Sequence, residues 1–247
     1  MKISQIFGPT IQGEGSAAGR HVLFVRMYNC NLRCTWCDTA YTWADTADKA
    51  EMTQSGIQYD RFDPKLGEKE MAPEEVMFEL EKLWPIYDCP TIIVFSGGEP
   101  MMQQGDLVPL MRLLRPHNHE IHVETAGTIP PAYDFNSLVT QYNVSPKLSN
   151  SGNLLAKRLK PTVLRILEES GKAWFKFVVT SNSDFEEIDE IVATVGIRPK
   201  RVMVMPEGTT AEQNITTARV VVDEAIIRGY GLSFRTHVLI WGNDPDK

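Results

Sequence analysis

The strongest constraint on the fold is an alternation that runs along the chain. A short apolar run is followed by a break containing Gly, Pro or an acid, and then by a stretch of helical periodicity. His21 to Tyr28 is almost continuously apolar, as a strand covered on both faces should be. Thr91 to Phe95 predicts a second strand, closed by Ser96-Gly97-Gly98-Glu99-Pro100, and Ile121 to Glu124 a third. Asn143 to Lys147, Ala173 to Thr180, Arg201 to Met205 and Leu232 to Leu239 predict four more. Between them lie helical stripes: Val76, Met77, Leu80, Leu83 and Trp84 after Pro73; Leu107 to Leu114; Pro161 to Glu169; Phe185, Ile188, Ile191, Val192 and Val195; Ile215, Ala218, Val222, Ala225 and Ile226. Ser183 with Glu186, and Thr210 with Gln213, have the spacing of capping boxes.

Strand-then-helix repeated about six times predicts a parallel α/β fold. The expected architecture is a partial, incomplete barrel in a single domain over residues 1–247, with a flat doubly wound sheet as the alternative. A polar excursion at residues 40–72 interrupts the alternation. In a barrel the carboxyl ends of the strands form the active face, and the unusual Gly, Pro and acidic residues of this chain fall there. An apolar content of 43% suffices for a substantial core.

The first strand runs into Cys30-Asn31-Leu32-Arg33-Cys34-Thr35-Trp36-Cys37. Three thiolates at CxxxCxxC spacing can hold three irons of a cubane and leave the fourth without a protein ligand. A zinc site with a distant fourth ligand is an alternative, since five histidines are available. A closed cluster recruiting Cys89 is another. Zinc ribbons usually pair two CxxC units, and a closed cluster would leave an electron carrier; neither accounts for the glycine pair of Ser96 to Pro100. Cys89, alone before Pro90, reads as a buried or incidental thiol. Three cysteines within so short a span suit a metal better than a disulfide framework.

A net charge of −7 argues against a broad basic surface for nucleic acid. No apolar run approaches the roughly 18–20 residues that span a bilayer. Met1-Lys2-Ile3-Ser4-Gln5 lacks the charged, apolar and small-residue pattern of an export signal. The expectation is a cytoplasmic protein with a small-molecule substrate, and neither nucleic acid nor membrane as partner.

Cys30, Cys34 and Cys37, with Trp36 before the last of them, resemble the signature of radical S-adenosylmethionine (SAM) enzymes, and Ser96 to Pro100 resembles their GGE element. Chelation of the open iron by the amino and carboxylate groups of SAM is what this resemblance implies. An electron from the 4Fe-4S cluster then cleaves the sulfonium to a 5′-deoxyadenosyl radical. A narrower resemblance covers most of the chain. Phe7 to Gly15 (with Thr10-Ile11-Gln12-Gly13-Glu14-Gly15), Cys37-Asp38-Thr39, Ser145-Pro146-Lys147, Thr236-His237 and Trp241-Gly242-Asn243 resemble the 7-carboxy-7-deazaguanine synthase family.

That resemblance implies a ring contraction. The substrate 6-carboxy-5,6,7,8-tetrahydropterin becomes 7-carboxy-7-deazaguanine with loss of ammonia, in the route to queuosine and related nucleosides. The radical removes the C6 hydrogen and later returns one, so SAM acts catalytically. The resemblance assigns Trp36, Asp38, Gly98, Glu99, Ser145, Pro146, Lys147, Met205, Pro206 and Glu207 to SAM. It assigns Ile11, Gln12, Gly13, Glu14, Arg26, Ser96, Glu124 and His237 to the substrate, and Thr39 to magnesium. On chemical grounds Gln12, Glu14 and the backbone at Ile11 and Gly13 can match the amide-like edge of a pterin. A guanidinium within an apolar strand needs a partner, and the substrate carboxylate suits Arg26 fork for fork; a structural ion pair is the alternative. His237 can equally be a satisfied core histidine. Arg235 stands where the family pattern has glutamine. A homodimer and a flavodoxin-type reductant complete what the resemblance implies.

Overall fold

In a computed structural model of the chain, which describes residues 1–44, 67–242 and 244, one sheet of nine strands carries the fold. The strands are β1 (Lys2–Ile11), β2 (His21–Met27), β3 (Lys69–Glu70), β4 (Ile92–Gly97), β5 (Glu120–Thr125), β6 (Gln141–Val144), β7 (Ala173–Val179), β8 (Val202–Pro206) and β9 (Gly231–Leu232). Their order is β3-β1-β2-β4-β5-β6-β7-β8-β9, with β1 antiparallel to both its neighbours and every pair from β2 onward parallel. A doubly wound sheet reverses its strand order at a switch point. Here the parallel strands follow in sequence and the sheet stays open, with β3 and β9 at its edges, so the fold is a partial barrel. The two residues of the β3 edge are both charged, which discourages pairing with another chain.

The helices are α1 (Pro73–Leu83), α2 (Gln104–Leu114), α3 (Tyr133–Leu138), α4 (Leu155–Arg158), α5 (Pro161–Glu169), α6 (Asp184–Val195), α7 (Ala211–Ile227) and α8 (Thr236–Trp241). Alternation along the strands sorts the side chains by face. Leu23, Val25, Ile93, Phe95, Val123, Phe175 and Phe177 join Leu80, Leu107, Leu164 and Phe185 of the helices in one core. Each such side chain, fully buried, stabilises by roughly 1.5–3 kcal/mol. With that outer layer in place, the other face needs little apolar packing. There Val22, Phe24, Ile92 and Val94 form a small cluster with Phe7 and Ala17. Beyond it the same face turns polar at Arg26, Ser96, Glu124 and Lys176, all of which line a cavity.

Several elements depart from the sequence reading. β6 ends at Val144, before Ser145. The last strand is only Gly231–Leu232, and Thr236–Trp241 is helical, because a short apolar run such as Val238-Leu239-Ile240 fits either periodicity. Ile215 and Ile226, expected in the core, are 41% and 68% exposed; Ala218 and Ala225 of the same stripe are buried as expected, with Asn214 and Val221 beside them, so α7 turns its smaller residues inward. The Thr210–Gln213 capping box forms. Ser183 does not cap, since its own backbone is helical, and Asp184 Oδ2 accepts from the N–H groups of Thr180 and Ser181 at 2.7 and 3.2 Å. Cys89 is exposed, so it is not a buried thiol. Of the polar excursion, Ala40, Trp43 and Ala44 pack beside Cys30 and Cys37, Lys69–Glu70 form β3, and residues 45–66 lie outside the described residues. Among the described residues no helix is long and apolar enough to cross a membrane.

Candidate active site

Cys30, Cys34 and Cys37 lie on an irregular loop at the carboxyl end of β2. Asn29 enters it with φ +79°, a left-handed conformation that Asn tolerates. The loop is pinned from several sides: Asn29 N to Thr42 O at 2.7 Å, Asn31 Nδ2 to Thr128 Oγ1 at 2.9 Å, Arg33 N to Asn153 Oδ1 at 2.9 Å and Thr35 N to Ser151 O at 3.1 Å. Each sulfur also accepts an N–H. Leu32 N lies 3.5 Å from Cys30 Sγ, Asn153 Nδ2 3.2 Å from Cys34 Sγ and Trp43 Nε1 3.3 Å from Cys37 Sγ.

Burial, with Glu99 nearby, pushes the Cys30 thiol up to about 12. Burial and then Asp38 push Cys37 up to about 11, and Cys34 is raised by burial as well. Three buried sulfurs with N–H donors suit thiolates that share the charge of a bound cluster, whose loading displaces the thiol protons. Among the described residues no three His, Cys, Asp or Glu side chains converge on a single ion. A cubane does not ask for that, since each thiolate takes its own iron.

The end of β4 closes directly onto this loop. Gly98 N donates to Met27 O at 3.0 Å and Glu99 N to Asn29 O at 2.8 Å. A Cβ at Gly98 would fall 1.9 Å from Asn29 O, so only glycine allows the two backbones to meet. Gly98, Trp36, Asp38, Ser145, Lys147 and Met205 line one cavity with the three cysteines. Lys147 Nζ donates to Ser145 Oγ at 3.0 Å and lies 5.2 Å from the centre of the Trp36 ring. Four of the expected SAM residues do not line it: Glu99, Pro146, Pro206 and Glu207. Glu99 is 1% exposed and its carboxylate accepts from Met101 N at 3.1 Å and Ala126 N at 2.8 Å. Each of its oxygens thus holds the backbone of one loop beside the cavity.

Ile11, Gln12, Gly13, Glu14, Arg26, Ser96, Glu124 and His237 line the same cavity. A bulge in β1 between Phe7 and Thr10 shifts its register against β2 and re-aims the residues that follow. Gln12 Nε2 then donates to Glu124 Oε1 at 3.1 Å, and Glu14 N to Gln12 Oε1 at 3.2 Å. Glu14 also meets Lys176 Nζ in a short ion pair and accepts from Arg235 Nε at 3.0 Å. Burial works to raise the Glu14 pKa, but Lys176, Arg235 and His237 outweigh it and hold the carboxyl well below the usual range. Glu124 goes the other way: burial raises it, with Lys176 only partly offsetting.

Arg235 continues the network, with Nη1 on Gly208 O at 3.0 Å and Nη2 on Asp38. One guanidinium thus ties the loop after β1, the loop after β8 and the cysteine loop together. Arg26 Nη1 donates to Gln5 Oε1 at 2.7 Å and to the Tyr41 hydroxyl, and its guanidinium lies 4.6 Å from the Phe7 ring centre. Thr39 lines the cavity, its hydroxyl 3.8 Å from Cys37 Sγ. Sequence reading missed Asn143, Lys176 and the ionic role of Arg235 in this wall. Lys176 was the detectable one, a charge at an inward position of an apolar strand.

A loop of three cysteines at CxxxCxxC spacing, at the carboxyl end of a partial parallel barrel, is the arrangement of a radical SAM protein, and the family model described as "Radical SAM superfamily" matches residues 24–203. Over its full length the chain is 34% identical to the 7-carboxy-7-deazaguanine synthase of Pyrobaculum aerophilum, covering 97% of that protein. It is 28% identical to the Escherichia coli K12 enzyme of the same name, over 95% of this chain and 96% of that one. The crystal structure of QueE from Escherichia coli aligns with a TM-score of 0.68 at 25% identity, covering 96% of this chain and 94% of that one. The chain belongs to the 7-carboxy-7-deazaguanine synthase family.

Proposed function

We propose that the protein converts 6-carboxy-5,6,7,8-tetrahydropterin to 7-carboxy-7-deazaguanine with loss of ammonia, a radical SAM ring contraction in queuosine and deazapurine biosynthesis. One observation carries the reading. A single cavity has Cys30, Cys34, Cys37 and Gly98 in one part of its wall and Gln12, Glu14, Arg26, Glu124 and His237 in another. A cluster with its SAM and a polar, carboxylated ring can therefore share one enclosure. When bound, the 4Fe-4S cluster and SAM supply the carbon radical that abstracts hydrogen.

The residues of this chain supply the rest. Cys30, Cys34 and Cys37 hold the cluster, with Trp36, Asp38, Gly98, Ser145, Lys147 and Met205 along the SAM side. Gln12, Glu14 and Glu124 face the amino-pyrimidinone edge, where carboxylates accept from ring N–H groups. Arg26 takes the substrate carboxylate; its contacts with Gln5, Tyr41 and Phe7 hold the guanidinium in one orientation beforehand. Burial lowers the His237 pKa, so its imidazole is neutral at pH 7 and can accept as well as donate. Thr39 offers one hard oxygen to Mg2+, with substrate oxygens and water completing the shell. Asp38 is not free to dominate that shell while Arg235 holds it. The reading includes a cytoplasmic homodimer reduced by a flavodoxin-type protein.

Anaerobic incubation of the reconstituted protein with SAM, a reductant and 6-carboxytetrahydropterin tests the proposal. Chromatography with mass detection should show 7-carboxy-7-deazaguanine. No product from protein carrying a full cluster would refute it.

A further inference from the structure

Asn143 lies in the cavity wall and is 7% exposed, yet neither the resemblance nor the chemistry above gives it a task. It sits directly opposite Glu124 in the β5–β6 register, so the two side chains leave the same face of neighbouring strands. Its amide belongs to a short polar chain with Gln141 and Ser16. Asn143 Oδ1 accepts from Gln141 Nε2 at 2.8 Å, and that same nitrogen donates to Ser16 Oγ at 2.9 Å. Gln141 Nε2 is the donor of this pair, so the oxygen of Asn143 is the atom that faces it. Asn143 Nδ2 is then left buried, with no hydrogen-bond partner among the described residues. Buried donors are paired in folded proteins, and one left open in a binding cavity calls for an acceptor on the ligand.

We propose that Asn143 reads the carbonyl oxygen of the substrate's pyrimidinone ring and makes the site selective for a 2-amino-4-oxo ring over a 2,4-diamino ring. On such a ring the exocyclic amine and the ring N–H are donors, and the carbonyl beside them is an acceptor. Glu124 presents two acceptor oxygens, and Asn143, its neighbour across the sheet, presents the donor. The pattern of the protein complements the pattern of the edge. A 4-amino group would set donor against donor, the kind of mismatch that a hydrogen-bonding site rejects strongly. This inference rests on the substrate reading given above.

The test is anaerobic calorimetry on holoenzyme carrying cluster and SAM, titrated with 7-carboxy-7-deazaguanine and with its 2,4-diamino counterpart. Wild type should prefer the oxo ligand. Asn143→Leu should weaken that ligand about 5- to 10-fold and leave the diamino ligand unchanged. Asn143→Asp, which keeps the shape and replaces the donor with an acceptor, should narrow the preference further. Equal losses for both ligands would assign Asn143 a structural or water-holding part and overturn the proposal, as would unchanged binding in both variants. If wild type binds neither ligand, the substrate reading itself fails and this inference with it.

Discussion

Gly13 is a glycine because His237 occupies the space where a side chain would go. A Cβ built there lies 1.8 Å from His237 Nδ1 and 2.7 Å from its Cγ. Carbon and nitrogen in ordinary contact stand about 3.5–4.0 Å apart, so in Gly13→Ala the imidazole must withdraw by about 2 Å. The backbone cannot easily retreat, since Thr236 N, one residue before the histidine, donates to Gly13 O at 2.8 Å. Overpacking of this kind costs about 1–3 kcal/mol. If the displaced His237 no longer meets the ligand, the same range corresponds to roughly 5- to 150-fold in affinity. The assay is a double-mutant cycle: product binding to wild type, Gly13→Ala, His237→Ala and the double variant. With the imidazole gone the new methyl has room, so adding Gly13→Ala to His237→Ala should change binding by less than about 0.5 kcal/mol. An equal loss from Gly13→Ala in both backgrounds would refute the reasoning, because the steric partner would then not be His237.

Other expectations concern the charges around the cavity. Arg235→Met leaves Asp38 without this partner and Gly208 O with Asn214 Nδ2 alone, while Glu14 keeps Lys176. Asp38 is partly exposed, which softens the loss, so about 3 kcal/mol is expected, a fall of about 6–12 °C in thermal midpoint by circular dichroism; an unchanged midpoint would mean the network contributes nothing. Glu14 has a folded pKa below its unfolded one, so its ionisation stabilises above the ordinary carboxylate range and that contribution is lost as pH falls below it. Melting wild type and Glu14→Gln from about pH 6 to pH 3 should therefore show their difference shrinking with acid; a constant difference would contradict the sign. Thr39→Ala should weaken the magnesium dependence of turnover, and a titration identical to wild type would remove Thr39 from the shell.

The outer layer of the barrel was legible because burial on both faces leaves continuous apolar runs, as in His21 to Met27 and Ile92 to Phe95. Pro161 and Glu169 bound α5 as expected, since Pro favours the first helical turn. The amphipathic phase of α7 was legible only in part. Ala218 and Ala225 are buried as expected, but apolar residues lie on two of its faces, and nothing local says that Val221 faces inward while Ile215 and Ile226 face out. The cysteines and glycines of the site were visible as spacing. Lys176 was visible as an inward charge, but its pairing with Glu14, like that of Arg235, joins residues far apart in the chain, and single-sequence periodicity carries no such information. Glu99 shows the converse: a residue conspicuous in the sequence, with its carboxylate held by backbone amides of the fold.

In the proposed reaction cluster, SAM and carboxypterin share one cavity, and the abstracted hydrogen returns within it. The most direct measurement is an anaerobic turnover of the reconstituted protein with 6-carboxytetrahydropterin deuterated at C6, counting product and SAM together by mass spectrometry. Turnover should give many molecules of 7-carboxy-7-deazaguanine per SAM consumed, with deuterium appearing in the recovered SAM. No ring-contracted product, or SAM cleaved one for one with no deuterium in it, would contradict it.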